Sequence, residues 1–371
     1  MSNTNLHKAK KAKSDEFYTQ LSDIEKELEH YKNHFKDAHI FCNCDDHRWS
    51  AFVEYFSMNF ELLGLKKLTA IHYDANNISY KLEITGDTNG DGKIDGDDLV
   101  KTALTGDGDF RNQESIDILK ECDIVVTNPP FSLFREYIAQ LMKYDKKFLV
   151  VGPVMAMTYK EIFPLMQSED LWIGSKRLGV FGQPDGSMKS AGALWFTTLD
   201  HKKRHESIIL YNEYKESENT KYDNYDAIDC VFNRKVIIPK DYYKNVGVPI
   251  TFMEKFNPKQ FSIIRFRKGT DNKDLRLNGK DQALRVIIKR KTKMKQFMDE
   301  IEKQGVLFAQ EGIGLTEPLN CDEETFMASV SLYEDYSYKK DDEDFMKLSK
   351  LLPSNAAIAQ AYWKENNTYE D

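Results

Sequence analysis

Apolar and polar positions along the first 165 residues predict strands separated by helices. Short apolar runs predict strands at 39–42, 68–73, 80–84, 124–126 and 147–151. Apolar residues at helical spacing predict helices at 17–35, 49–63, 116–119 and 133–144. This alternation indicates an α/β fold with a parallel sheet, in which ligands bind at the carboxyl ends of the strands. Further along, 171–173 and 193–198 are predicted strands around a glycine-rich loop.

The stretch DIVVTNPPFS interrupts this pattern at the end of one predicted strand. The apolar run over 124–126 leads into Asn128, Pro129, Pro130 and Phe131. Two consecutive prolines cannot continue a helix or a sheet ladder, so the chain must form a stiff turn. The turn presents an amide and an aromatic ring at the sheet edge where a ligand is expected.

An amide in such a turn suits methyl transfer to an exocyclic amine such as N6 of adenine. The lone pair of that nitrogen is delocalised into the ring, and two acceptors that take both amino hydrogens localise it again. The side-chain carbonyl of Asn128 and the backbone carbonyl of Pro129 are suited to this, and Phe131 offers a face for a stacked base. The amide nitrogen of a protein glutamine would fit the same clamp, so this second substrate stays open here. A non-catalytic binding module is a third hypothesis, which the intact NPPF and GDGDF motifs disfavour.

Three further stretches resemble elements that hold S-adenosylmethionine. DEFYTQ resembles the element that touches the methionine end, and FCNCDD follows the first strand, where amino methyltransferases usually carry a glycine-rich loop. GDGDF resembles an acidic and aromatic element for the cofactor adenine, with Asp109 accepting from the amino group and Phe110 packing on the ring. The candidate cofactor contacts are Tyr18, Thr19, Asn43, Asp45, Asp109 and Phe110.

Together these motifs resemble the EcoRI-type adenine-specific DNA methyltransferases of restriction–modification systems. The resemblance rests on KAKSDEFYTQ, FCNCDD, GDGDFR, SIDILKECDIVVTNPPFSLFREYI, KYDNYDAI, GVPITF and FNPKQFSIIRFRKG. It implies a Rossmann-like class I methyltransferase sheet with a C-terminal DNA-recognition region. It also implies S-adenosylmethionine as donor and N6 methylation of an adenine flipped out of duplex DNA. The target-adenine and catalytic motif would be Asn128, Pro129, Pro130 and Phe131.

The resemblance covers 8–291, and we use it to predict the regions of the chain and its binding partners. We predict a basic flexible arm at 1–14, an S-adenosylmethionine-binding catalytic core at 15–165, the rest of the core with the target-recognition and DNA-binding region at 166–293, and a C-terminal extension with an acidic tail at 294–371. We expect double-stranded DNA as substrate and a monomer, with a separate cognate restriction endonuclease as a candidate partner. The segment 174–192 is shorter than in other members, which predicts a different target sequence if this segment reads DNA.

The charge distribution is compatible with a DNA substrate although the net charge is −8. The segment 265–295 carries twelve Lys or Arg and three Asp, a net charge of +9, and 8–13 holds a second basic cluster. A locally basic face can bind a phosphate backbone, whereas a solvated charged surface is the alternative interpretation. The sequence has no apolar run that would span a membrane and no apolar N-terminal core typical of a signal peptide. Its five scattered cysteines favour neither a disulfide framework nor a zinc site, so we expect a cytoplasmic protein.

One acidic loop, DTNGDGKIDGDDL, matches the pattern of a calcium loop. Oxygen ligands at every second residue wrap a hard cation, and a glycine permits the sharp turn. The candidate ligands are Asp87, Asn89, Asp91, Lys93 through its backbone, and Asp98. Such a calcium ion would be structural, because methyl transfer needs no metal. The alternative is an acidic surface loop.

Overall fold

The structure, a computed structural model, describes residues 18–45, 50–74, 79–182, 188–190, 192–232, 235–266 and 274–291. The chain divides into two compact units, of which the first holds 1–240, 245–258 and 263–288 and the second holds 241–244, 259–262 and 289–371. The predicted arm at 1–14 and extension at 294–371 lie outside the described residues, and the predicted boundary at 165 stays a prediction. Within the described residues, no helix is both long and apolar enough to cross a membrane.

Helices and strands alternate through the first half of the chain, and short strands dominate the second. The α-helices are α1 (Leu21–Leu28), α2 (Lys32–Phe35), α3 (Ala51–Met58), α4 (Phe60–Leu63), α5 (Gln113–Glu121), α6 (Phe134–Lys143) and α7 (Phe163–Gln167). The longer strands are β2 (His39–Cys42), β3 (Lys67–Ile71), β4 (Tyr80–Ile84), β5 (Val100–Ala103), β6 (Ile124–Thr127), β7 (Lys147–Pro153), β8 (Trp172–Arg177), β11 (Ala193–Thr197), β15 (Asn245–Pro249), β16 (Phe261–Phe266) and β19 (Arg285–Arg290). The shorter strands are β1 (Tyr18–Thr19), β9 (Val180–Gly182), β10 (Met188–Ser190), β12 (Ile228–Asp229), β13 (Val231–Phe232), β14 (Lys235–Val236), β17 (Arg276–Leu277) and β18 (Lys280–Asp281).

An eight-stranded sheet forms the centre of the first unit, in the order β5-β4-β3-β2-β6-β7-β11-β8. The four central strands β3, β2, β6 and β7 are parallel. Their residues are almost all buried, as expected of strands covered on both faces. The α/β prediction is therefore confirmed, and the predicted strands are all present in this sheet.

The two edges of the sheet differ from the purely parallel prediction. β4 and β5 form an antiparallel hairpin next to β3, and β11 runs antiparallel to both β7 and β8. The connection between β4 and β5 is the acidic loop over 85–99, which contains no α-helix. A parallel connection usually crosses over through an α-helix, and this loop, which contains none, returns the chain antiparallel.

A buried carboxylate joins α1 to the edge strand β8. Glu27 is fully buried, and its carboxylate accepts hydrogen bonds from the backbone N–H groups of Ser175 at 2.7 Å and Lys176 at 2.5 Å. The pairing of β8 with β11 shifts register at this point, so the ladder leaves these donors to the side chain. Burial raises the pKa of Glu27 to about 6, against the opposing effect of its hydrogen bonds.

The described part of the predicted basic region is divided between a second sheet, in the order β12-β15-β19-β16, and the separate pair β17-β18. Two arginines of the region already have acidic partners. Arg276 Nε lies 2.8 Å from an oxygen of Asp281, and Arg285 Nε lies 3.1 Å from an oxygen of Asp229. Part of the positive charge at 265–295 is thus neutralised within the fold, and 267–273 and 292–295 lie outside the described residues.

Candidate active site

The order of the parallel strands reverses between β2 and β6. From β2 the chain moves to β3 on one side, and it later returns to place β6 on the other side. Ligands of open α/β sheets bind in the crevice at such a switch point, outside the carboxyl ends of the strands. Asn43 and Asp45 follow β2 and Asn128 follows β6, so the sequence-predicted residues of both motifs meet at this edge.

Asp45 is a buried carboxylate at the centre of this edge. One of its oxygens accepts a hydrogen bond from Ser50 Oγ at 2.7 Å, and the other accepts one from the hydroxyl of Thr127, the last residue of β6. Burial raises the pKa of Asp45 to about 6, although both hydrogen bonds oppose the rise. Ser50 Oγ also accepts from the backbone N–H of Phe52 at 3.2 Å, which caps the N-terminus of α3. Asp45 therefore fixes the loop after β2 to both β6 and α3.

Asn43 is held by a tyrosine from the helix that follows the proline turn. The hydroxyl of Tyr137 in α6 donates a hydrogen bond to Asn43 Oδ1, and both side chains are buried. Burial raises the pKa of Tyr137 well above its usual range, so the hydroxyl stays a donor. The ring of Tyr137 also contacts Phe110 edge to face, with centroids 5.1 Å apart. Tyr137 thus links the loops that carry two of the predicted cofactor elements.

The GDGDF loop lies against the carboxyl end of β3. The backbone N–H of Asp74 donates to the carbonyl of Asp107 at 2.9 Å. Gly108 has a φ of +79°, and a side-chain carbon there would collide with the carbonyl of His72, so only glycine fits this approach. Phe110 is 5% exposed, and its carbonyl accepts from Gln140 Nε2 at 2.8 Å.

Asp109 already has a cationic partner in the structure. Its carboxylate accepts from Nε of Arg111 at 2.9 Å and from another guanidinium nitrogen at 2.6 Å. Burial raises the pKa of Asp109, but the hydrogen bonds and charge of Arg111 outweigh burial and leave that pKa below its ordinary value. Arg111 is not among the predicted site residues. An ionised Asp109 is consistent with its predicted role as a hydrogen-bond acceptor.

The NPPF turn connects β6 to α6 through a short 3-10 helix at Phe131–Leu133. Asn128 and Phe131 are partly exposed, whereas Pro129 is buried. The Phe131 ring contacts the buried ring of Phe181 edge to face, with centroids 6.1 Å apart and an interplanar angle of 63°. The turn therefore presents the Asn128 amide and the Phe131 ring at the sheet edge, and Phe181 of β9 packs against that ring.

The predicted contact Thr19 is brought to Phe181 by a small sheet. β1 pairs with β9 in antiparallel register, with Thr19 opposite Phe181. Thr19 is 6% exposed, and no described residue hydrogen-bonds its hydroxyl. A buried polar atom without a protein partner fits a site that a ligand completes. The side chain of Tyr18, the other predicted contact in this strand, lies outside the described residues.

The acidic loop shows no metal centre. Among the described residues, no group of three or more His, Cys, Asp or Glu side chains lies close enough to hold a metal ion. Asp87, Asn89 and Asp91 instead accept hydrogen bonds from backbone N–H groups of the loop itself. Asp98 accepts from Thr88 and Asp95. The prediction that calcium binds Asp87, Asn89, Asp91, the Lys93 backbone and Asp98 is therefore unsupported.

Comparison with known proteins identifies the family. A family model described as "Adenine-specific methyltransferase EcoRI" matches residues 5–308. The chain belongs to the EcoRI family of adenine-specific methyltransferases. Membership makes it a DNA methyltransferase of the restriction–modification type and implies S-adenosylmethionine as the methyl donor. The predicted function, a restriction–modification DNA adenine methyltransferase, is confirmed, and glutamine methylation and a non-catalytic module are left without support.

Curated relatives agree with this family assignment. The Type II methyltransferase M.EcoRI of Escherichia coli is 48% identical over 316 residues, which cover 77% of this chain and 96% of the relative. M.MgeORF184P of Mycoplasma genitalium is 35% identical, over 77% of this chain and 98% of the relative. M.MpnI of Mycoplasma pneumoniae is 38% identical, over 70% of this chain and 84% of the relative. No solved structure matches the chain.

Proposed function

We propose that this member of the EcoRI family methylates N6 of an adenine that is flipped out of duplex DNA into the crevice between β2 and β6. The observation that carries the proposal is the NPPF turn at the switch point, beside the buried group of Asn43, Asp45 and Thr127. Chemistry on a base needs the base outside the stack. The proposed fold is the Rossmann-like class I methyltransferase sheet, with target recognition in 166–293.

Asn128 and Pro129 are the proposed catalytic acceptors. The side-chain carbonyl of Asn128 and the backbone carbonyl of Pro129 take the two amino hydrogens, so that the N6 lone pair is no longer shared with the ring. Pro130 keeps the turn stiff, which holds both acceptors in position without loss of entropy on binding. Phe131 stacks on the base, and its contact with Phe181 limits movement of the ring. No strong base is needed, because the amino proton leaves to water after transfer.

The residues around the crevice fit the donor. When bound, S-adenosylmethionine supplies a methyl group made electrophilic by its sulfonium. Thr19 has a buried hydroxyl available, which supports its role as a contact. Asp109 is kept ionised by Arg111 and can accept from the adenine amino group of the donor, while Phe110 packs on its ring. Asn43 accepts a hydrogen bond from Tyr137, and Asp45 accepts from Ser50 and Thr127, so we expect both side chains to shape the loop that contacts S-adenosylmethionine.

The remaining partners follow from charge and family. Duplex DNA would dock on the basic residues of 265–295 and of the N-terminal arm, where phosphates release counterions on binding. We expect the enzyme to act as a monomer in the cytoplasm. A separate endonuclease of the same specificity would complete the restriction–modification pair.

Replacement of Asn128 tests the catalytic assignment. Asn128→Ala removes one of the two acceptors, and we expect turnover to fall by roughly a hundredfold or more, while affinity for S-adenosylmethionine stays unchanged. The matched control is Asn59→Ala, which removes an amide between α3 and α4, away from the crevice. Single-turnover methyl transfer and calorimetry of donor binding give the two readouts. Normal turnover of Asn128→Ala would refute the assignment.

A further inference from the structure

An arginine beside the NPPF turn has no role in the site described so far. Arg135 lies in the first turn of α6, seven residues after Asn128. α6 begins at the carboxyl edge of the sheet, and the loop after β7 leaves the sheet at the same edge. Arg135 therefore belongs to the rim of the crevice that holds the proposed base pocket.

Close packing of α6 on β7 fixes the position of this arginine. A side-chain carbon at Gly152 of β7 would collide with the ring of Phe134, so glycine lets the start of α6 lie directly on the strand. The next residue, Arg135, then reaches Tyr159 in the loop after β7. Its guanidinium carbon lies 4.2 Å from the centroid of the Tyr159 ring. Stacking on an aromatic face orients a guanidinium plane while its edge donors stay accessible.

The charges around Arg135 leave it open to an anion. Its side chain is 54% exposed, and within the described part of the chain its one acidic neighbour at ion-pair distance is Glu161, 3.8 Å from Nε. Glu161 is also 3.7 Å from Lys160, whose side chain is 87% exposed. Glu136, the acidic residue in the same helical turn, pairs with Arg111 at 3.3 Å. Arg135, Lys160 and Glu161 together keep a positive charge at the rim.

The helix itself adds to this preference for an anion. The N-terminus of a helix carries a partial positive charge, so a cation in the first turn is electrostatically unfavourable by itself. An anion bound there interacts favourably with both the arginine and the helix end. α6 has ten residues, and Arg135 is the basic residue of its first turn. An arginine in the first turn runs against the usual charge preference of a helix N-terminus, and such exceptions tend to lie at functional sites.

We propose that Arg135, oriented by Tyr159, binds a backbone phosphate of the target strand next to the flipped adenine. Guanidinium groups bind phosphate oxygens through paired, charge-assisted hydrogen bonds. A phosphate contact at this place anchors the strand on one side of the extruded nucleotide and sets its register over Asn128. The inference rests on the proposed function, because the phosphate belongs to the DNA whose adenine is methylated.

The salt dependence of DNA binding tests this contact. The probe is a duplex that carries the sequence methylated by the unchanged full chain, as mapped on plasmid DNA. The logarithm of the binding constant falls linearly with the logarithm of the salt concentration, and the slope grows by about 0.9 for each phosphate contacted. We expect Arg135→Ala to lower the slope by about 0.9 and to weaken binding by roughly tenfold or more at low salt. Tyr159→Leu keeps the charge, so it should weaken binding with little change in slope.

Lys143→Ala is the matched control for this measurement. Lys143 lies in the last turn of the same helix, at the opposite edge of the sheet, and its amine lies 5.3 Å from the ring centroid of Tyr144. Its replacement should leave slope and affinity unchanged. An unchanged slope for Arg135→Ala, with methylation by the unchanged chain intact, would overturn the phosphate contact alone. If the unchanged chain methylates no DNA, the proposed function fails and the phosphate contact fails with it.

Discussion

Replacement of Thr127 by valine isolates the hydrogen bond that ties β6 to the buried Asp45. Thr127 is fully buried, and its hydroxyl donates to one oxygen of Asp45, while Ser50 donates to the other. Valine has nearly the shape of threonine but lacks the donor. The change therefore removes one hydrogen bond from a buried carboxylate and little else.

The expected loss depends on the charge of Asp45. Burial raises the pKa of Asp45 to about 6, well above the ordinary value of 3.8. A raised pKa in the folded state means that this group stabilises the fold below the unfolded pKa, and that this stability is lost as pH rises through 6. At neutral pH, ionisation of the buried Asp45 lowers the free energy of unfolding by about 3 kcal/mol relative to the protonated form, and the two hydrogen bonds limit this loss. Loss of the Thr127 hydroxyl should cost about 1.5–3 kcal/mol when Asp45 is ionised and about 0.5–1.5 kcal/mol when it is protonated.

Urea unfolding at pH 8 and at pH 5 measures both values. The difference in free energy of unfolding between the unchanged chain and Thr127→Val should be larger at pH 8 than at pH 5. Thr127→Ser is the control, because it keeps the donor, loses one methyl group and should give a difference that does not vary with pH. An equal loss for Thr127→Val at both pH values, or a greater loss at pH 5, would refute the reasoning about Asp45.

Three other changes test separate parts of the account. Glu27→Gln should lower the free energy of unfolding by about 1–3 kcal/mol, because the amide offers one acceptor to the two backbone donors of β8, and greater stability in urea would contradict this. Phe110→Ala should weaken S-adenosylmethionine binding by roughly tenfold in calorimetry with DNA affinity unchanged, and equal loss of both would point to a general defect. Phe131→Leu removes the stacking face, which is worth about 1–3 kcal/mol per base. We expect turnover and the fluorescence of 2-aminopurine at the target position to fall together. A smaller loss of fluorescence than of turnover would mean that another group stacks on the base.

The central sheet could be predicted from the sequence because its strands are short, apolar and bounded by polar residues. β2, β3, β6 and β7 are buried on both faces, so their composition alone marks them. β5 was missed because all four of its residues are exposed at a sheet edge. Its composition, VKTA, carries no burial pattern to read. The antiparallel direction of β4 was also missed, because direction depends on the connection and not on the strand.

The NPPF turn at the end of β6 could be predicted because its residues are neighbours in the sequence. Asn128 to Phe131 are consecutive, and the two prolines restrict the backbone whatever the surroundings. The groups that hold the crevice together are different. Thr127 and Asp45 are 82 residues apart and Tyr137 and Asn43 are 94 apart, so their meeting depends on strand order. The calcium pattern is left without support, because turns in which a side chain accepts from nearby amides use the same residue types.

The most direct test of the account is methyl transfer from labelled S-adenosylmethionine to duplex DNA by the unchanged full chain, followed by identification of the labelled nucleoside. We expect N6-methyladenine at one defined sequence, and labelling by Asn128→Ala that is slower by roughly a hundredfold or more. Label on another base, or labelling by Asn128→Ala at the rate of the unchanged chain, would contradict the role of the NPPF turn.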